Sequence, residues 1–300
     1  MQTKFNLASV TVAGAVLPAL GIEDWYYLFP ETLQQRYAGI RAVIDDWATA
    51  FPVLAAFADQ CAETPQSFSR IAAGDATLAL PLRFPNKLIS VGANYSDHLR
   101  EMGLPVKRFE PMPMFLMPPT TCMVGPGATV VKPRTTQQFD WEIELTVVIG
   151  ARLKDVGLDE AERGIAGYTI VLDMTARDLL KSGPPVNADL VRGKSQDTMA
   201  PTGPVITPAA FMGNVQEKSL KLWVNGEIRQ NGSTADMIVT IPEIVSDISK
   251  YVTLEPGDHI TTGTPGGSGV HHKHFLKAGD KVSAEIEGIG RLEIEIVDPN

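Results

Sequence analysis

Three shortages in the sequence each exclude a class of protein. The two cysteines, Cys61 and Cys122, are far apart, so the chain carries neither a disulfide framework nor a paired-cysteine metal motif and suits a reducing compartment. The net charge is −9, which gives no basis for binding nucleic acid or an anionic membrane surface. The apolar residues 7–20 are interrupted by Thr11 and Pro18 and are too short to span a membrane. We therefore expect a cytoplasmic protein with no nucleic-acid or membrane partner.

The chain does have enough apolar residues to form a large hydrophobic core. Its 300 residues, of which 44% are hydrophobic, indicate one large domain with a small appendage. Residues 10–20 are expected to form short strands that turn at Gly14 and Gly21, and residues 32–62 place apolar side chains at helical spacing. After residue 88, short apolar segments alternate with glycine and proline turns. The sequence predicts an α+β, predominantly β fold, with a small N-terminal α/β domain at residues 1–80 and the main domain at residues 81–300.

Two glutamates enter an apolar segment. The second half of residues 139–150 is aliphatic and β-branched, which predicts a buried strand. Because side chains alternate along a strand, Glu142 and Glu144 point to the same face, and Asp140 joins them if the strand begins early enough. Carboxylates on one buried face repel each other unless a cation compensates them, and Mg²⁺ is often held by few carboxylates plus water and substrate. The alternative is an edge strand with a solvated acidic face.

Two further segments contain candidate metal-binding or catalytic residues. Asp173 follows the apolar residues 165–172, and a carboxylate at the end of a strand is a candidate third metal ligand. An ion pair between Arg177 and Asp178 is the alternative for the polar residues at this point. His98 and Glu101 share one face of a short predicted helix, and a histidine beside a carboxylate can act as a general base. A solvated helix pair is the alternative for these two side chains.

Two segments could either border an active site or be exposed surface loops. Residues 103–119 hold six prolines or glycines among methionine and phenylalanine residues, which is typical of a loop that orders beside a site and equally of a surface loop. His271, His272 and His274 are a cluster of a kind that can bind zinc or titrate near neutral pH. No cysteine or carboxylate is close to them in sequence, so we expect an exposed loop, with a position bordering the active site as the alternative.

Six short motifs, in a fixed order, resemble those of the fumarylacetoacetate hydrolase family. Each is weak alone, but together they are highly specific and cover about residues 85–298. The N-terminal unit is similar to the variable small domain that many bacterial members carry. The motifs are VGANYSDHLRE at 91–101, DWEIEL at 140–145, LDMTARD at 172–178, GKS at 193–195, VNGE at 224–227, and PGD at 256–258 with GTP at 263–265.

The resemblance implies a fold and a site. The fold would be a mixed β-roll forming the catalytic domain, paired into a homodimer. Mg²⁺ or Mn²⁺ would be held by Glu142, Glu144 and Asp173. His98 and Glu101 match the dyad that activates water or moves a proton, and Lys194 matches the lysine that steadies developing negative charge. The positions that match substrate contacts are Asn94, Tyr95, Arg177 and Thr264, of which the first two also lie in the motif that shapes the turn before the dyad.

The resemblance also implies a reaction class. Family members typically act on 2,4-diketo or 2-keto acids, whose adjacent oxygens can chelate a metal that polarises the carbonyl and stabilises the enolate left by C–C cleavage. We therefore expect a metal-dependent hydrolase of an acylpyruvate- or fumarylacetoacetate-like acid, acting in the catabolism of aromatic or related compounds. Decarboxylation and isomerisation pass through the same enolate, so a decarboxylase or isomerase is the alternative. A non-catalytic metal- and ligand-binding protein is the alternative of another class.

Two positions depart from the family pattern. Met117 stands where many members have a lysine after Phe-Leu, and Leu180 stands where the relatives most similar to acylpyruvate hydrolases have a glutamine. Both changes replace a polar group by an apolar one. From them we predict a pocket for a bulkier or less anionic substrate than acetylpyruvate or oxaloacetate.

Overall fold

The computed structural model describes residues 2–181 and 187–299. More of these residues lie in strands than in helices, which confirms the α+β, predominantly β fold class. The strands are β1 Asn6–Val12, β2 Ala15–Ile22, β3 Trp25–Leu28, β4 Arg70–Ala72, β5 Thr77–Leu78, β6 Leu88–Val91, β7 Met114–Met117, β8 Met123–Val124, β9 Thr129–Val131, β10 Phe139–Asp140, β11 Ile143–Ile149, β12 Ile165–Leu172, β13 Thr175–Ala176, β14 Ala200–Pro208, β15 Ser219–Val224, β16 Glu227–Ser233, β17 His259–Thr261, β18 Lys281–Ile286 and β19 Gly290–Val297.

The helices are mostly short and connect the strands. Among the described residues, no helix combines the length and the apolar composition needed to cross a membrane. The α-helices are α1 Glu31–Arg36, α2 Ile40–Asp45, α3 Trp47–Glu63, α4 Ser96–Glu101, α5 Pro119–Cys122, α6 Leu158–Arg163, α7 Arg177–Leu180, α8 Leu190–Lys194, α9 Ala209–Met212, α10 Ile241–Tyr251 and α11 Gly269–His272, and 3₁₀ turns lie at Pro65–Ser67, Ala73–Asp75, Val215–Glu217 and Thr234–Asp236.

Two mixed sheets form most of the described chain. The larger has the order β4-β3-β2-β1-β14-β12-β11-β17-β6-β7, with β5 beside β1 and β8 beside β14. The smaller has the order β16-β15-β18-β19-β9, and β10 pairs separately with β13. The pairs β14–β8, β17–β6 and β19–β9 are parallel, and the other pairs are antiparallel.

Strand β11 is buried on both faces. Its Leu145 and Val147 belong to the same apolar cluster as Leu220 and Leu222 of β15, so this face packs against the smaller sheet. Its Val148 belongs to a second cluster formed mainly by the N-terminal segment. Burial on both faces explains why the sequence is continuously aliphatic here, without the polar alternation of a half-exposed strand.

One edge of the larger sheet gathers the predicted site residues. Strands β6 and β17 are parallel, so their carboxyl ends lie at the same edge, and they lead into α4 and into the turn at Gly263 and Thr264. Strand β11 is antiparallel to β17, so it begins at that edge, next to Glu142. Strand β12 is antiparallel to β11, so it ends there, directly before Asp173. The topology therefore brings together four segments that are distant in sequence.

The N-terminal segment extends the larger sheet. Strand β1 pairs with β14, with Leu7 opposite Ile206. The segment also carries most of the second apolar cluster, which includes Phe29 and Leu54 and reaches Val148 of β11. The division of the chain at residue 80 stays a prediction.

Two local predictions in this segment were wrong. The first turn lies at Gly14 as expected, but Gly21 lies inside β2, opposite Tyr26, and the second turn follows at residues 23–24. The helix expected over residues 32–62 is three helices, with breaks at residues 37–39 and at Asp46. Gly39 has extended backbone, with φ −172° and ψ 172°, and Asp46 leaves the helical region, with φ −114° and ψ 31°, so regular helix is interrupted at both places.

Candidate active site

Three buried carboxylates converge where β11 begins and β12 ends. Glu142 precedes β11, Glu144 lies within it, and Asp173 follows β12. The backbone N–H of Asp173 donates to the carbonyl of Glu142 at 2.9 Å, which fixes the two chain segments side by side. One carboxylate oxygen from each of the three residues lies within 4.8 Å of the others, and each residue is at most 5% exposed. The alternative of a solvated acidic face is therefore wrong.

Two cations compensate part of this negative charge. Nζ of Lys194 lies 2.6 Å from Oε2 of Glu142 and 2.7 Å from Oδ2 of Asp173. Nη2 of Arg177 lies 2.5 Å from Oε1 of Glu142, and its Nε lies 2.8 Å from Oδ2 of Asp140. Three carboxylates thus contact the two cations, and Glu144 adds a fourth negative charge when it is ionised. A divalent ion would complete the balance of charge.

The alternative of an ion pair between Arg177 and Asp178 was wrong. The carboxylate of Asp178 instead accepts hydrogen bonds from the Thr136 hydroxyl and from the backbone N–H of Gln137. Arg177 reaches across the strand pair β10–β13 to Asp140. Asp140 is far from Arg177 in sequence, so the residues next to Arg177 do not reveal this partner.

Asp140 lies outside the carboxylate cluster. It belongs to the separate strand β10, and its oxygens accept hydrogen bonds from the backbone N–H groups of Gly269 and Val270 at 2.6 and 3.0 Å. Its partners are therefore Arg177 and the first turn of α11. The role of Asp140 in this structure is to hold these two elements beside the site.

Burial and charge move the pKa values of the three carboxylic acids apart. Burial raises the pKa of Glu142, but the positive charges of Arg177 and Lys194 outweigh it and lower the pKa to about 2. Burial, followed by the charges of Asp173 and Glu142, raises the pKa of Glu144. Burial raises the pKa of Asp173 to about 6, although Lys194 acts in the opposite direction. A cation among the three oxygens would favour all three ionised forms.

The three carboxylates fit a hard divalent metal ion. They offer oxygen ligands, which Mg²⁺ and Mn²⁺ prefer, from three positions that the strand pairing holds in place. Oδ1 of Asp173 is buried and has no hydrogen-bond partner in the described chain. Such an orphaned acceptor is costly unless a cation or water satisfies it. The donor set and this atom together are what an oxygen-ligated metal site requires.

His98 and Glu101 lie next to the carboxylates, on α4. His98 is 7% exposed, so the alternative of a solvated helix pair is wrong. Its Nδ1 lies 3.5 Å from Oε2 of Glu101. The other oxygen of Glu101 accepts a hydrogen bond of 2.8 Å from the backbone N–H of Gly267, which orients the carboxylate. The two side chains are therefore close neighbours, as a base assisted by a carboxylate requires, although no hydrogen bond joins them at this distance.

The side chains of Asn94 and Thr264 are engaged in the framework of the site. Asn94 donates to the carbonyls of Val239 and Thr262 at 3.2 and 3.0 Å, and accepts from the N–H of Val239 at 2.8 Å. The Thr264 hydroxyl donates to the carbonyl of Ile143 at 2.9 Å and accepts from Gln230 at 2.8 Å. These bonds fasten the turns around the carboxylates.

Tyr95 lies beneath the same turns. It is fully buried, and burial together with the charge of Glu144 raises the pKa of its hydroxyl. The substrate-contact roles of Asn94, Tyr95, Thr264 and Arg177 stay predictions.

A cavity of about 220 Å³ connects the dyad, the carboxylates and Lys194. Its lining combines charged or polar residues with an equal number of apolar side chains. In the described chain, Lys194 is the only lysine or arginine among the lining residues. The polar lining residues are His98, Glu142, Glu144, Asp173, Lys194 and Thr264, and the apolar ones include Val91, Ala93, Met102, Leu104, Pro113 and Phe115.

The apolar residues that line the cavity were not predicted as site residues from the sequence. Leu104 lies at the start of the segment 103–119, which was expected either to border a site or to be a plain surface loop. Met102 directly precedes this segment, and Phe115 lies in β7, a strand inside it. Met117 and Leu180 are not among the described residues that line the cavity. Met117 is buried opposite Leu88 in the β6–β7 pair, so its change from lysine does not alter the cavity surface directly.

The histidine tract borders the dyad. His271 lies in α11, and its ring packs edge to face on the ring of His98, with 5.8 Å between centroids. Nε2 of His272 lies 3.9 Å from Oε1 of Glu101, and the ring of His274 packs on Trp141. The expected exposed loop was therefore wrong for His271, which is half-buried, although His272 and His274 are exposed. The contact between His271 and His98 depends on the fold. The short distance in sequence from Gly263 and Thr264 to His271 was nevertheless a usable signal that the tract borders the site.

Three comparisons with known proteins place the chain in a family. A family model described as the C-terminal part of fumarylacetoacetate hydrolase matches residues 87–297. The mitochondrial oxaloacetate tautomerase FAHD2A of Bos taurus is 35% identical over 271 residues, which are 89% of this chain and 79% of that protein.

Two solved structures are similar over much of the chain. Fumarylacetoacetate hydrolase from Exiguobacterium antarcticum has a TM-score of 0.81 and 29% identity, covering 98% of this chain and 100% of that one. Fumarylpyruvate hydrolase from Pseudomonas aeruginosa, solved in complex with Mn²⁺ and pyruvate, has a TM-score of 0.65 and 32% identity, covering 74% of this chain and 92% of that one.

Proposed function

The chain belongs to the fumarylacetoacetate hydrolase family, and we propose that it is a divalent-metal-dependent hydrolase that cleaves a C–C bond in a 2,4-dioxo acid. One observation carries this proposal. The buried carboxylates Glu142, Glu144 and Asp173, the dyad of His98 and Glu101, and Lys194 all border one cavity or adjoin it. A protein that only binds a metal and a ligand has no need of an oriented base beside the metal site.

The carboxylates Glu142, Glu144 and Asp173 are the residues that would hold Mg²⁺ or Mn²⁺. The chemistry that such an ion supplies when bound is Lewis-acid polarisation of a carbonyl oxygen. The fumarylpyruvate hydrolase of Pseudomonas aeruginosa was solved with Mn²⁺ and pyruvate, which supports a divalent ion and an oxo acid here too.

The dyad and Lys194 supply the proton transfer and the charge stabilisation. His98 takes a proton from water, and Glu101 holds the imidazole and stabilises its protonated form. The water oxygen attacks the carbonyl carbon C4 of the dioxo acid, the bond between C3 and C4 breaks, and its electron pair stays on C3 as an enolate. The ammonium group of Lys194 stabilises this negative charge, and the proton on His98 returns to C3.

The cavity favours a substrate with an apolar substituent. A 2-oxo acid whose carboxylate lies at Lys194 would have the ring of Phe115 beside that cation, with its centroid 5.7 Å from Nζ, and would have Met102 and Leu104 among the other lining residues. A second carboxylate there would be desolvated without a cation, which is costly. We therefore propose an acyl- or aryl-substituted dioxo acid, as expected for the breakdown of aromatic compounds, although the apolar surface does not come from Met117 or Leu180.

A keto–enol isomerase is the second candidate. The specific observation in its favour is the 35% identity to the bovine oxaloacetate tautomerase across 89% of this chain. Tautomerisation uses the same proton acceptor and the same enolate without adding water, so His98 would take its proton from C3 of the substrate. Decarboxylation shares the enolate as well.

Turnover of a panel of oxo acids distinguishes these reactions. The panel contains acetylpyruvate, an aryl-substituted dioxo acid and oxaloacetate, each with Mg²⁺, with Mn²⁺ and with chelator, and products are identified by mass. We expect water added across a broken C–C bond, fastest with the aryl substrate. Interconversion of oxaloacetate tautomers without cleavage of any dioxo acid would replace the hydrolase by the isomerase. Metal binding without turnover of any member would favour a binding protein.

Three further properties are part of the proposal. Magnesium is the proposed ion in the cell, the proposed assembly is a homodimer, and the proposed location is the cytoplasm. Sedimentation of the purified chain tests the dimer, since a monomer at micromolar concentration contradicts it.

A further inference from the structure

A second group of metal-ligating side chains lies beside the carboxylate cluster. His98 and Glu101 come from α4, and His271 comes from α11. One ligand atom from each of the three lies within 4.8 Å of the others. Two imidazoles and one carboxylate, delivered by two separate helices, therefore converge on a small volume.

Two of the atoms in this group are buried without a hydrogen bond. Nδ1 of His98 faces Oε2 of Glu101, and neither atom has a hydrogen-bond partner among the described residues. His98 is 93% buried, as its exposed fraction is 7%. Buried polar atoms are nearly always satisfied, so this pair calls for a group that both atoms can bind.

The spacing of the pair fits a metal ion between the two atoms. A direct charge-assisted hydrogen bond would be about 2.7–2.9 Å long. Two ligands on a tetrahedral Zn²⁺, with bonds of about 2.0–2.1 Å, lie about 3.4 Å apart. The observed distance between Nδ1 of His98 and Oε2 of Glu101 is 3.5 Å.

The donor types identify the class of ion. Imidazole nitrogen suits Zn²⁺, Co²⁺ and related ions, whereas Mg²⁺ takes oxygen ligands. Two histidines and one glutamate with a fourth position open form a known type of zinc site. The neighbouring His272 is exposed, with its Nε2 3.9 Å from the other oxygen of Glu101, so the group is open to ions from solvent on that side.

We propose that His98, Glu101 and His271 form a second metal site, which takes an imidazole-preferring divalent ion such as Zn²⁺. The carboxylates Glu142, Glu144 and Asp173 offer only oxygen, the ligand that Mg²⁺ and Mn²⁺ prefer, and Mg²⁺ in excess occupies them. One consequence rests on the proposed function. An ion on Nδ1 of His98 leaves the ring proton on Nε2, so the imidazole can no longer accept a proton from water, and Zn²⁺ inhibits the magnesium-loaded enzyme.

Calorimetric titration of Zn²⁺ into the magnesium-saturated full chain tests the site. The wild type is compared with His271→Ala and with His274→Ala, a matched control from the same tract whose ring packs on Trp141 instead. We expect one Zn²⁺ per chain in the wild type and the control, and an affinity at least about tenfold weaker in His271→Ala. Co²⁺ gives a second readout, because four-coordinate Co²⁺ absorbs visible light more strongly than six-coordinate Co²⁺, and His271→Ala should lose that absorption.

Equal Zn²⁺ affinity in all three proteins, or no binding by the wild type, would overturn the site. Circular dichroism checks that His271→Ala is folded. If it is not folded, Glu101→Gln replaces it and should show the same loss of Zn²⁺ affinity. Inhibition is measured separately. Zn²⁺ that binds through His271 without lowering turnover supports the metal site and contradicts the role of the dyad as the base.

Discussion

Replacing Lys194 by methionine tests the charge balance of the site. The ammonium group of Lys194 is buried and bridges Glu142 and Asp173 at 2.6 and 2.7 Å. In the variant Glu142 keeps Arg177, but Asp173 loses its cation, and its Oδ1 already has no partner in the described chain. Methionine has a similar volume, so the change removes charge with little loss of packing.

The expected loss of stability follows from leaving a buried carboxylate without a partner. Breaking a buried ion pair by removing one member typically costs about 3–5 kcal/mol of the free energy of unfolding. Lys194 lowers the pKa of Asp173, which is about 6, so its removal raises that pKa further. The stability deficit of the variant should therefore be largest at neutral pH and narrow as the pH falls and Asp173 takes up a proton.

Urea unfolding of the wild type and Lys194→Met, with chelator and with Mg²⁺, measures this effect. With chelator at neutral pH we expect the variant to be less stable by about 3 kcal/mol or more, whereas Lys277→Met, an exposed control, should change stability by less than about 0.5 kcal/mol. Mg²⁺ should stabilise the variant more than the wild type, because the ion replaces the missing charge. Equal stabilities at neutral pH, or a deficit that Mg²⁺ does not change, would refute the reasoning.

Three further predictions concern proton transfer, metal affinity and stability. His98→Ala should lower kcat by about 10²–10⁴-fold while Mn²⁺ affinity at the carboxylates stays unchanged, and steady-state kinetics that show wild-type kcat would remove His98 from the mechanism. Affinity for Mn²⁺ should fall as the pH is lowered through about 6, because Asp173, whose pKa is about 6, must lose its proton to ligate, and calorimetry that finds a flat affinity contradicts this. Burial lowers the pKa of His259 to about 4, so the unfolded chain binds the proton first and stability falls by about 3 kcal/mol between pH 6.5 and 4. Urea unfolding of His259→Asn should show a weaker dependence over that interval than the wild type.

Local sequence patterns were enough to find the parts of the site that lie on regular elements. Strand alternation placed Glu142 and Glu144 together, and the end of an apolar run placed Asp173 beside them. Helical spacing placed His98 next to Glu101. These relations hold over a few residues, and the strand pairing then determines how the segments meet.

Contacts that depend on the path of the chain were not predictable from local pattern. Arg177 pairs with Asp140 because β10 and β13 lie side by side, and no periodicity in either segment indicates that pairing. His271 meets His98 because the turn after β17 leads α11 over α4. The apolar lining was missed for the same reason, since Met102 and Phe115 come to line one cavity only when β7 pairs with β6.

The central claim is that Glu142, Glu144 and Asp173 hold the ion on which turnover depends. Parallel measurement of Mn²⁺ stoichiometry and dioxo-acid turnover, in the wild type and in Asp173→Asn, tests it most directly. We expect the wild type to bind one ion through these carboxylates, to lose turnover with chelator and to regain it with Mn²⁺, and we expect Asp173→Asn to lose the ion and turnover together. Turnover that survives complete removal of metal, or full Mn²⁺-dependent turnover in Asp173→Asn, would contradict the account.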